Sequence, residues 1–223
     1  MTSPPTAAAN LEFDHLVLAT HDLEAAKQRF HESTGVVPAD GGSHPGRGTR
    51  NALVSFGPGR YLEILGPDPE QAGADKVAAW LAEPGADRLL HWAIRSSHLP
   101  AVAESANAAG FKAGPIFPMS RARPDGRVLE WDLMPLAGHD LGGLVPFFID
   151  WRGSPHPSES VPEVGPLVSL VLRLPEGNPL RGLLEPAPSC AELREGGPEL
   201  LLQFGSPRGT IRLAGEKLAG FPF

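Results

Sequence analysis

The sequence predicts an α+β fold of two βαβββ modules enclosing a cleft, followed by a third, shortened module-like segment. Three observations predict it. Three stretches read alike: LEFDHLVLATHDLEAAKQRF from Leu11, DRLLHWAIRSSHLPAVAESANAAG from Asp87 and GPLVSLVLRLPEGNPLRGLL from Gly165. Each is a short apolar, β-branched run, then a turn, then a helix-like segment. His15, His91 and Ser169 hold the same place in the three runs, 76 and 78 residues apart, and Leu23 and Leu99 each follow their histidine by eight. Further strand-like runs, broken by Gly and Pro, follow each stretch. Residues 1–10 are expected to be a disordered N-terminus, 11–157 the paired domain (modules about 11–70 and 86–157), and 158–223 the third segment.

The elements follow in order. Phe13–Ala19 is an apolar strand. Leu23, Ala26 and Phe30 fall at i, i+3, i+7, which places them on one helix face. Asp22 is its N-cap, and Gly35 stands just past its end. Arg50–Phe56 and Arg60–Leu65 flank Gly57-Pro58-Gly59, a hairpin signal. A short helix over about Ala74–Leu81, with Val77, Trp80 and Leu81 on one side, bridges to the second module. There Leu89–Ile94 is a strand, and Leu99, Val102 and Ala106 form a second helix face that ends before Gly110. Strands Arg127–Met134 and Pro146–Trp151 surround a Gly-rich loop, Leu136–Gly143. The third unit pairs Glu199–Phe204 with Gly209–Leu213 around Ser206-Pro207-Arg208.

Composition bounds the function. The 223 residues carry 26 Gly and 25 Pro, about twice ordinary usage, which means many tight turns and little long helix. A net charge of −7 gives no basic surplus to suggest nucleic acid or an anionic membrane as partner. No apolar stretch is long enough to span a bilayer, and the first ten residues lack the features of a signal peptide. The single cysteine, Cys190, excludes a disulfide framework and a multi-Cys zinc site. A soluble, cytoplasmic protein is the expectation. There is no nucleophile elbow, no phosphate loop, no HExxH and no dinucleotide fingerprint, and nothing recognisable activates Cys190.

Polar residues on apolar strands are the candidates for chemistry. His15, Glu63, His91 and Asp150 each interrupt such a strand, and an ionised carboxylate there is costly unless paired or ligated. Two imidazoles and two carboxylates, one of each per module, make a ligand set suited to Zn, Fe, Mn, Ni or Co. The alternative for each is a satisfied core histidine or a solvent-facing carboxylate. Counting from His91 as Glu63 is counted from His15 lands on His139, in the Gly-rich loop; the strand context favours Asp150. His44 and Asn51 frame the loop HPGRGTRN, as acid/base and orienting amide or as parts of a surface turn. Arg121 and Arg123 suit a substrate carboxylate or phosphate, or belong to a solvated loop. His156 either reaches the cleft or ends the domain. Trp92, Trp131, Phe147 and Trp151 supply an apolar wall or simply core.

FDHLVLAT, HDLEAAKQRF and GTRNALVSFGPGRYLEILGPDP resemble the opening module of the vicinal oxygen chelate superfamily, which contains glyoxalase I, bleomycin-resistance proteins and extradiol dioxygenases. HPGRGTRNALVSFG, RYLEILGPDP, PMSRARPDG and LVPFFIDWRGSPHP are similar to its glyoxalase-like domain proteins. The resemblance covers residues 11–157 well and the tail to Leu213 less fully. It implies that the first strand of each module gives a His and the last a Glu, which carries over to His15, Glu63 and His91, with Asp150 as a departure. The implied cofactor is a divalent ion on His15, Glu63 and His91 plus water, chelating two vicinal oxygens of a small organic substrate, with Asp150 and His44 as acid/base groups. Isomerase, lyase and dioxygenase outcomes all fit. The alternatives are a metal-free small-molecule-binding protein of the drug-resistance type and a relic whose cleft is filled by side chains. Dimers are common in the superfamily, so a homodimer is compatible.

Overall fold

A computed structural model of the chain describes residues 10–71, 76–85, 87–123, 126–187 and 189–215. The first nine residues of the expected disordered N-terminus and the start of the expected bridging helix lie outside them. The first module runs β1 (Glu12–Ala19), α1 (Leu23–Thr34), β2 (Ala39–His44), β3 (Thr49–Ser55) and β4 (Tyr61–Pro67), followed by a short helix, α2 (Lys76–Leu81). The second runs β5 (Arg88–Arg95), α3 (Leu99–Ala108), β6 (Lys112–Ala113), β7 (Phe117–Ala122), β8 (Val128–Met134), β9 (Leu136–Ala137) and β10 (Phe147–Asp150). The third runs β11 (Leu167–Leu174), α4 (Pro179–Leu184), β12 (Glu192–Glu195), β13 (Glu199–Ser206) and β14 (Gly209–Gly215).

The helix signals hold physically. The Asp22 side chain accepts from the Ala25 N–H, and Gly35 closes α1 at φ 83°, a left-handed value that glycine adopts without strain. Leu99, Val102 and Ala106 are buried on α3. Three strands of four or more residues escaped the pattern, β2, β7 and β12, as did the two-residue β6 and β9, the latter inside the expected loop Leu136–Gly143. β2 is ADGGSH and β7 is FPMSRA; neither alternates apolar and polar residues, and each carries a strand-disfavoured Gly or Pro.

The two modules close into one barrel in the order β1-β4-β3-β2-β7-β8-β10-β5. β1 runs parallel to β4 and antiparallel to β5, so the first strands of the two modules lie side by side. At the opposite seam β2 meets β7 through the single pair Ser43 and Ala122. Gly42 allows that approach: at φ +126° it has no Cβ, and one would stand 2.0 Å from the Ala122 carbonyl oxygen.

The third unit has the same βαβββ element order but different pairing. Its sheet is β12-β11-β13-β14, with β11 inside it rather than at one end. One apolar cluster lies outside the barrel, where Phe13, Leu16, Leu62 and Ile64 meet α1, α3 and the inner face of the third sheet (Leu172, Leu200, Leu202, Phe204). The second lies within it: Val17, Leu53, Tyr61, Ala93, Trp131, Phe147 and Trp151. Among the described residues no helix is long and apolar enough to cross a membrane.

Candidate functional site

The site begins with an irregularity in β1. In the ladder with β5, Phe13 pairs with Ile94 and His15 with Ala93, leaving Asp14 as the extra residue of a bulge. On a regular strand neighbouring side chains point to opposite faces; a bulge re-aims one of them. Here it lets Asp14 Oδ1 reach His15 Nδ1 at 2.7 Å. Asp14 is wholly buried and also accepts from Trp151 Nε1 (3.0 Å) and Arg95 Nη1 (3.3 Å), with His156 Nε2 at 3.2 Å. Burial alone would raise its pKa. The hydrogen bonds to His15 and His156 outweigh that and hold it below the usual carboxylate range. An ionised Asp14 places the proton of that contact on His15 Nδ1, leaving Nε2 to face Glu63 Oε2 at 3.7 Å.

From Glu63 a polar chain crosses the barrel wall. Asn51 Nδ2 donates to Glu63 Oε1 at 2.6 Å, and Arg121 Nη1 donates to Asn51 Oδ1 at 2.9 Å. These residues sit on β1, β4, β3 and β7. The intervening β2 is spanned because it presents Gly41: a Cβ there would fall 2.1 Å from Asn51 Oδ1 and 2.4 Å from Arg121 Nη1. His44, at the end of β2, sets Nδ1 2.9 Å from Thr49 Oγ1 and Nε2 3.4 Å from Asn51 Nδ2. Burial pushes its pKa down to about 4, so it is uncharged at neutral pH.

This chain borders a cavity of about 610 Å³ inside the barrel, within the range of small-molecule sites. Its lining includes His15, His44, Asn51, Glu63, Arg121, Trp131, Phe147 and Trp151 from the sequence-derived set, and Tyr61, Arg47 and Lys76 besides. Tyr61 stacks on His15 with centroids 4.5 Å apart, and burial raises its phenol pKa well above 10, so it stays a hydrogen-bond donor.

The other expected residues lie elsewhere. Trp92 points to the opposite face of β5, fully buried in the outer core, where Nε1 donates to the Leu144 carbonyl. Asp150 turns back on its own chain and accepts from the Arg152 N–H at 2.9 Å, an Asx turn around the positive φ of Arg152. Arg123 is half-buried, one residue beyond the end of β7 and outside the cavity lining. His156 stands behind Asp14, with edge contacts to Tyr61 and Trp151. His91 is buried against Phe147 and sets Nε2 2.7 Å from the Val145 carbonyl oxygen, a contact that requires the proton on that nitrogen. Burial lowers its pKa to about 4.

His91 therefore bears directly on the ion the resemblance implies. His15 gives Nδ1 to Asp14, His91 gives Nε2 to a carbonyl, and Phe147 makes T-shaped contacts with both rings. Among the described residues no three His, Cys, Asp or Glu side chains form a metal-holding group. The residues present do not fit a divalent ion on His15, Glu63 and His91. Asp14 and Tyr61, which touch His15, are site positions the sequence pattern did not single out; the adjacency of Asp14 to His15 was the available signal.

A family model for a glyoxalase-like domain matches residues 13–187. Among solved structures, a hypothetical protein from Staphylococcus aureus superposes with a TM-score of 0.60 at 15% identity, covering 91% of this chain and 85% of that one. Methylmalonyl-CoA epimerase from Mycobacterium tuberculosis gives a TM-score of 0.44 at 18% identity, over 65% of this chain and 91% of that one. A variant of the Streptomyces coelicolor epimerase in complex with 2-nitronate-propionyl-CoA gives 0.46 at 22% identity, over 66% and 98%. No curated protein matches the sequence.

Proposed function

This chain belongs to the glyoxalase-like domain family, and from that premise we propose that it is an acid–base enzyme in which His15 moves a proton on a small carbonyl-bearing substrate inside the barrel. One observation carries the reading: the 2.7 Å contact of Asp14 with His15 Nδ1 directs Nε2 toward Glu63 in the cavity wall. A base needs a fixed lone pair and a way to stabilise the cation it becomes. In this reading Nε2 takes a proton from the carbon next to the carbonyl. The C–H electron pair moves onto the carbonyl oxygen as an enolate, and the imidazolium lies between Asp14 and Glu63. Tyr61 supplies a protonated hydroxyl to the enolate oxygen. Return of the proton to the same or a neighbouring carbon gives an epimerisation or isomerisation with no net redox change. Asn51 holds Glu63 in place, and the apolar walls exclude water, which strengthens each charge interaction.

The test is solvent exchange. The protein is incubated in D2O with a panel of small carbonyl compounds, and deuterium entering the carbon beside the carbonyl is followed by nuclear magnetic resonance. Exchange of at least one member is expected, slowed about 10²–10⁴-fold in His15→Gln. Members that bind with no exchange in wild type would contradict this reading and favour a sequestering protein.

A further inference from the structure

Arg121 is 5% exposed, yet among the described residues it has no carboxylate partner. Its one hydrogen bond is the Nη1 donation to Asn51, and its Nε has no partner. A buried cation without a counterion is expensive. Glu63, the single carboxylate among the described lining residues, acts on Arg121 only through space: it lies beyond the Asn51 amide and faces His15, with no direct ion pair to the guanidinium. Among the described residues Lys76 also lines the same cavity. A buried guanidinium at the cavity wall attracts anions. The remaining wall is mostly apolar and aromatic, with Phe117, Trp131, Leu133, Phe147, Ile149 and Trp151. Gly41 keeps the path between Asn51 and Arg121 clear.

We propose that the barrel takes a small organic carboxylate with an aromatic or branched aliphatic body, its carboxylate held by Arg121. What becomes of the bound acid rests on the acid–base reading above; the anchor is tested by binding alone. A carboxylate offers two oxygens to a guanidinium fork and matches its charge. A phosphate dianion calls for more donors than this one fork and amide provide.

The experiment is calorimetric titration of the full chain with 3-phenylpropionate, its neutral amide 3-phenylpropionamide, and phenyl phosphate. Wild type is expected to bind the acid about ten- to a hundredfold more tightly than the amide. Arg121→Gln should bring the two within about threefold by weakening the acid only, and Arg121→Lys should keep part of the preference. Should Arg121→Gln fail to fold, the wild-type acid-to-amide ratio and the lysine variant decide. Equal or tighter binding of the amide overturns the proposal. So does an acid preference that survives Arg121→Gln, tighter binding of phenyl phosphate than of the acid, or no acid binding at about 10 mM. An acid preference in a wild-type protein that exchanges no proton supports the anchor while refuting the acid–base reading.

Discussion

Replacing Gly41 by Ala tests the polar wall at its narrowest point. The added Cβ would stand 2.1 Å from Asn51 Oδ1, 3.1 Å from Asn51 Cγ and 2.4 Å from Arg121 Nη1. Relief requires a movement on the order of 1 Å, against a normal contact distance of about 3.5 Å. Asn51 cannot retreat freely, because its amide is tied to Glu63 at 2.6 Å. The Arg121–Asn51 hydrogen bond therefore breaks. Losing a hydrogen bond to a charged group removes about 1.5–3 kcal/mol. Taking a glycine out of a strand returns about 0.5–1 kcal/mol. The net destabilisation is about 0.5–2.5 kcal/mol, read from urea unfolding as a lower midpoint at unchanged slope. The same variant should lose most of its preference for an acid over the amide. Gly182→Ala, at a helical glycine with nothing within 4 Å, is the control and should be neutral or stabilising. In Asn51→Ala the Gly41→Ala penalty should shrink, since the hydrogen bond it breaks and one of the two side chains it strikes are already gone, leaving the Arg121 contact. Unaltered unfolding and unaltered ligand preference in Gly41→Ala would refute the reasoning.

Three further outcomes follow from the same geometry. Asp14→Asn swaps a carboxylate with several donors around it for an amide that brings its own N–H groups; proton exchange should fall about 10²–10⁴-fold, and urea unfolding should show a loss of roughly 3 kcal/mol or more. His44 and His91 both have pKa values pushed by burial down to about 4 from 6.5, so the unfolded chain binds protons more readily. Stability should be full above about pH 6.5 and fall as pH drops toward 4, by about 3 kcal/mol per histidine at most, with a flatter urea-midpoint profile in His44→Gln. The lowered Asp14 pKa acts in the same direction at still lower pH. Cys190 is 1% exposed and its thiol is pushed by burial up to about 12, so mass spectrometry should find it unalkylated by iodoacetamide until denaturant is added.

Much of the fold was legible because it obeys simple periods. The i, i+3, i+7 faces beginning at Leu23 and Leu99 and the hairpin at Gly57–Gly59 are local signals that packing reinforces. Residues interrupting regular strands, His15 and Glu63, likewise announced themselves. The rest was hidden where function breaks the rules. β2 and β7, which carry His44, Gly41 and Arg121, lack alternation because the site needs glycine clearance and a buried cation there. The bulge at Asp14 is set by pairing with β5, which no period within β1 records. His91 repeats His15 in sequence, but the Val145 carbonyl, which claims its Nε2, comes from the irregular connection before β10. Asp150 was chosen by strand context, yet at the last position of β10 its carboxyl is within reach of its own turn. Trp92 and His91 are adjacent on a strand and cannot share a face.

The chemistry turns on which nitrogen of His15 carries a proton. Nitrogen-15 resonance of the imidazole in the intact protein, at the pH where proton exchange is measured, answers this directly. Hydrogen bonding to an ionised Asp14 predicts a protonated Nδ1 and an unprotonated Nε2 facing Glu63, with Asp14→Asn disturbing the pattern. A proton found on Nε2 of the free protein at that pH would mean that His15 has no lone pair to offer the cavity, and would contradict the account.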